Sequence, residues 1–192
     1  MYKEIFNFFE DDNILLFKKN VYFINDYHGG KGNNNYILNN FTLKNYYFES
    51  DINNDTELYD KLKTCLYEKK LDFIDLDNYN IKCFLRFIKP VMNYNYNKHD
   101  YPIFILYFSE TTSTNWLDLE VFNKNELRTL QKNDFNEQGF LNILKTNLNS
   151  GLIDIVIPEF NKCVYIPENT YYCDRSFRSI NKITFVIECR NK

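Results

Sequence analysis

The sequence predicts an α+β fold, a mainly antiparallel sheet with about three to four helices packed on it. Three observations lead there. Short runs rich in Val, Ile, Phe and Tyr recur along the chain with strand-like alternation. One segment carries a capped helical stripe. No linker, repeat or composition break divides residues 1–192, so they read as a single domain. Hydrophobic residues make up 44% and aromatics 18%, so a few faces lined with Phe and Tyr can supply most of the burial.

Taken in order, Tyr2, Ile5, Phe6 and Phe9 share one face of a short amphipathic helix closed by Asp11-Asp12. Residues 13–24 read as one long strand or a hairpin, and 36–38 and 42–49 as further strands. Asn54-Asp55-Thr56-Glu57 supplies a cap, and Leu58, Leu62, Cys65 and Leu66 continue as a helical stripe over about 55–69. Residues 71–76, 81–88 and 102–108 read as three strands of an antiparallel meander, with a turn at 77–80 and a polar loop at 90–100. In the middle strand Ile81, Cys83, Leu85 and Phe87 share one face, and Lys82, Phe84, Arg86 and Ile88 the other. After a polar loop at 109–115, residues 116–122 alternate like a strand. Helices are expected at 123–132 and from Phe140 through Leu148, the second stopped by Gly151. Strands at 152–157, 162–166 and 182–190 complete the set.

Composition narrows the function classes. The net charge of −3 argues against broad nucleic-acid binding, which needs a basic field. No apolar run reaches the roughly 18 residues of a membrane helix. The N-terminal stretch lacks the pattern of a secretory signal, so the chain is expected to be soluble and cytoplasmic. There are 29 asparagines and no alanine. With few glycines and prolines, that is the composition an AT-rich genome produces. Five cysteines without a C-x-x-C do not suggest a disulfide framework or paired zinc ligands. No cofactor or metal is expected.

The segment H-G-G-K-G, from His28 to Gly32, is followed by three asparagines and a strand-like run rather than by a helix. A phosphate cradle needs helix N-terminal amides, so a loop joining two strands accounts for it. His28 and His99 are the only histidines, and each lies near an aspartate, Asp26 and Asp100. Cys65, Cys83 and Cys189 fall on apolar faces and read as core. Cys173, in Y-Y-C-D-R-S-F-R, is expected to be the most exposed thiol. Arg175 and Arg178 would favour its thiolate and Asp174 would oppose it. Its spacing to Arg178 is one residue short of the phosphatase C-x5-R loop. Asp75 and Asp77 resemble a fragment of a calcium loop without its glycine or final glutamate, and read as a turn. Ser113 and Thr114 lack a nucleophile elbow.

The terminal run K-I-T-F-V-I-E-C-R resembles the metal-binding strand of the PD-(D/E)xK nuclease superfamily. The resemblance implies Mg²⁺-assisted phosphodiester hydrolysis through Glu188 and Arg190, with Asp174 or Asp154 upstream. It is confined to this strand and has arginine where the pattern has lysine. An ordinary strand with Glu188 and Arg190 facing solvent is the plainer expectation. Low-ranking catalytic candidates are thus Glu188, Arg190, Asp174, Cys173 and His28.

The favoured expectation is a non-catalytic protein-interaction module, inhibitor- or immunity-like, whose partner is another protein. Tyr94, Tyr96, Tyr171 and Tyr172 in polar loops, with Arg175 and Arg178, are the expected contacts, because exposed tyrosine is enriched at interfaces. The alternatives are the nuclease and a structural subunit of a larger assembly.

Overall fold

The computed structural model describes residues 1–10, 12–14, 42–43, 47–88, 97–108, 119–122, 148–151, 153–174 and 182–192. Ten strands fall within them: β1 (Lys3–Ile5), β2 (Thr42–Leu43), β3 (Tyr47–Asp51), β4 (Tyr79–Ile88), β5 (Ile103–Tyr107), β6 (Leu119–Phe122), β7 (Ile153–Val156), β8 (Cys163–Ile166), β9 (Tyr172–Asp174) and β10 (Lys182–Asn191). Seven form one sheet in the order β1-β8-β5-β10-β4-β3-β2, and three form a second in the order β7-β6-β9. Every pairing is antiparallel.

From β4 onward the chain passes repeatedly between the sheets. β4 and β5 lie in the large sheet, β6 and β7 in the small one, β8 in the large, β9 in the small and β10 in the large. Segment 97–101 touches the small sheet on the way from β4 to β5, through a bridge between Asn97 and Tyr172. This winding of one chain through two facing sheets is a jelly roll.

The mainly antiparallel sheet is as expected, but the three to four packed helices are not. Among the described residues one helix is long enough to pack on a sheet, α1 (Thr56–Glu68), and a 3-10 turn spans Leu76–Asn78. A second sheet covers the inner face of the large sheet instead. Sequence periodicity misled at the N-terminus, where the expected helix contains β1 at the sheet edge. Asn7 and Asn161 take left-handed backbone (φ 51° and 64°), which asparagine tolerates. Asn161 then holds the turn: its Oδ1 accepts from Phe9 N at 2.7 Å and its Nδ2 donates to Phe9 O at 2.9 Å.

The expected meander is also corrected. β10 lies between β4 and β5, pairing with both. Residues 71–75 form no strand. Asp75 caps the 3-10 turn by accepting from Asp77 N at 3.2 Å. Within the stretch expected as a polar loop at 90–100, Asn97 is a bridge residue, and β9 forms where only loop was expected. The glycine segment and the helices expected at 123–132 and 140–147 lie outside the described residues. Gly151 has φ 68°, as a helix-stop residue requires, and donates to Leu148 O at 3.0 Å.

α1 forms where its stripe predicts. Asp55 is the N-cap and accepts from Leu58 N at 3.2 Å. Leu58, Leu62, Cys65 and Leu66 are buried against the outer face of the large sheet, with Cys83, Leu85, Phe104, Phe185 and Cys189. A separate inner core fills the space between the sheets: Ile105, Tyr107, Leu119, Val121, Val164, Tyr172 and Val186. The large sheet is therefore covered on both sides, which explains why all five residues of β5 are buried.

Candidate functional site: a polar cluster on the inner sheet face

β10 sends Ile183, Phe185, Ile187 and Cys189 outward to α1, so Thr184, Val186, Glu188 and Arg190 face inward. β4 and β3 contribute Arg86 and Glu49 to the same face, opposite each other in register. Glu49 Oε2 accepts from Arg86 Nε at 2.5 Å. Glu188 Oε1 lies 3.6 Å from Arg86 Nη2, and its Oε2 accepts from Arg190 Nε and Nη2 at 2.9 and 2.7 Å. Four charges thus alternate in sign along Glu49, Arg86, Glu188 and Arg190. Glu188 is 4% exposed, and a carboxylate that deep is tolerable only when paired in this way.

Against this chain of charges stands segment 97–101. The His99 ring stacks on Tyr101 with centroids 4.9 Å apart at 20°. Its Nε2 is 3.0 Å from the Tyr172 hydroxyl. Burial pushes the imidazole below its ordinary range, with Arg86 and Arg190 adding to the shift while Glu188 and Asp100 oppose it. Burial, then Glu188, pushes the Tyr101 phenol up. The Arg190 guanidinium also lies 5.4 Å from the Tyr101 ring centroid, within cation–π range. Beside this pair, Lys98 Nζ lies 5.1 Å from the Tyr171 ring centroid.

A second polar row crosses the same face nearer the start of β10. Glu49, Arg86, Thr184 and Tyr107 stand in register across β3, β4, β10 and β5. The Tyr107 hydroxyl donates to Asp174 Oδ1 at 3.4 Å. Among the described residues, Thr184 Oγ1 is a buried side-chain oxygen without a hydrogen-bond partner.

These positions revise the sequence expectations. Glu188 faces the sheet interior rather than solvent, because β10 is a central strand with both faces covered. Cys173 is wholly buried in β9 and not an exposed thiol, and Tyr172 beside it is 2% exposed. All five cysteines are buried, and none is in a disulfide. Burial raises the Cys65, Cys83 and Cys163 thiols, and raises that of Cys189 to about 12, so these four are poor nucleophiles near neutral pH. Asp174 is buried beside Tyr107, and Asp154, on β7, acts on Tyr2. Among the described residues no three His, Cys, Asp or Glu side chains gather as a metal-holding group. His28, Tyr94, Tyr96, Arg175 and Arg178 lie outside the described residues.

Sequence reasoning did not single out Glu49, Arg86 or Tyr101 as site residues. The available signal was one arginine on the non-helix face of β4, and one glutamate at the matching face of β10.

No family model and no curated protein matches this chain. Solved structures do. A prolyl-4-hydroxylase from Pseudomonas putida matches with a TM-score of 0.54 and 10% identity, over 100% of this chain and 92% of that one. A prolyl hydroxylase from Trichoplax adhaerens, in complex with a hypoxia inducible factor oxygen degradation domain peptide fragment, matches with a TM-score of 0.53 and 13% identity, over 99% and 83%. At such identities the likeness is one of fold, and this chain shares the fold of those two proteins.

Proposed function

We propose that this chain is a non-catalytic protein-interaction module on a jelly-roll frame, inhibitor- or immunity-like in character. Its partner docks beside the polar cluster, where Tyr101, Tyr171, Lys98 and Arg190 are partly or fully exposed. One observation carries the reading: the reactive side chains of the cluster are committed to one another. Glu49 and Glu188 are held by arginines, and His99 by Tyr172. Such a network stiffens a surface and leaves tyrosine and arginine at its rim, the side chains that anchor interfaces.

The two solved structures named above are hydroxylases, and one of them holds a peptide. Peptide capture is compatible with the present reading by analogy of fold alone. Hydroxylation fits poorly with the residues present. Non-haem iron oxygenases use two histidines and one carboxylate as ligands. This chain has two histidines in all, His28 and His99. His99 Nε2 is engaged by Tyr172, and Glu49 and Glu188 are paired with arginine. His28 lies outside the described residues, among which no three His, Cys, Asp or Glu side chains gather, and the reading includes no metal-borne step.

A photo-crosslinking residue placed at Tyr171 should give a discrete protein adduct in the native host. The same residue at Tyr67, on α1, should not. Absence of an adduct at Tyr171, or Mg²⁺-dependent DNA cleavage abolished by Glu188→Ala, would overturn the proposal.

A further inference from the structure

We draw no further inference here: the strongest candidate, the corner where β1 and β7, each at the end of its sheet, lead into the exposed Phe6 and Ile157 beside the buried Lys162, is an unpartnered apolar patch, and nothing in the structure shows what covers it.

Discussion

The two faces of β10 use the same backbone for opposite purposes. Its outward residues, Ile183, Phe185, Ile187 and Cys189, meet α1 in an apolar layer. Its inward residues include Val186 but also Thr184, Glu188 and Arg190. The outer face gains stability from area removed from water, which tolerates no charge. The inner face places charge under cover and must neutralise it locally. The outer face of β10 is wholly apolar and its inner face mixes apolar packing with paired charge, with one residue of register separating them.

Variants on each face should break this contrast in different ways. Phe185→Ala opens a cavity in the outer layer and should cost about 4 kcal/mol by denaturant unfolding. Arg86→Leu strips Glu49 and Glu188 of a shared cation and should cost about 3 kcal/mol near neutral pH. Asp55→Ala removes the α1 cap and should lower stability by about 1 kcal/mol. Thr184→Val, which replaces an unsatisfied hydroxyl by a methyl, should be neutral or stabilising by up to about 1 kcal/mol in thermal unfolding. A clear loss in Thr184→Val would mean that the inner face is more demanding than its hydrogen bonds indicate.

Much of the outer face was legible in the sequence. α1 follows from a period near 3.6 and a cap, and its four stripe residues are all buried. β4, β5, β8 and β10 follow from their β-forming runs. The N-terminal helix was misread because Tyr2, Ile5, Phe6 and Phe9 satisfy a helical period by coincidence, while pairing with β8 and the Asn161 clamp favour extended chain. β9 was missed because three residues carry no periodicity. The site was legible only in fragments. Glu188 and Arg190 were singled out, but their partners Arg86 and Glu49 come from strands about a hundred or more residues away.

The amino-acid order by itself determined strands such as β4, β5, β8 and β10, where the long helix starts and which side chains prefer burial, because these depend on neighbours a few positions apart. The tertiary structure decided that β10 enters between β4 and β5, that a second sheet covers the inner face, and that His99 meets Tyr172 above Glu188. Those outcomes depend on burial and pairing between distant segments, whose free energy exists only once the sheets have closed on each other.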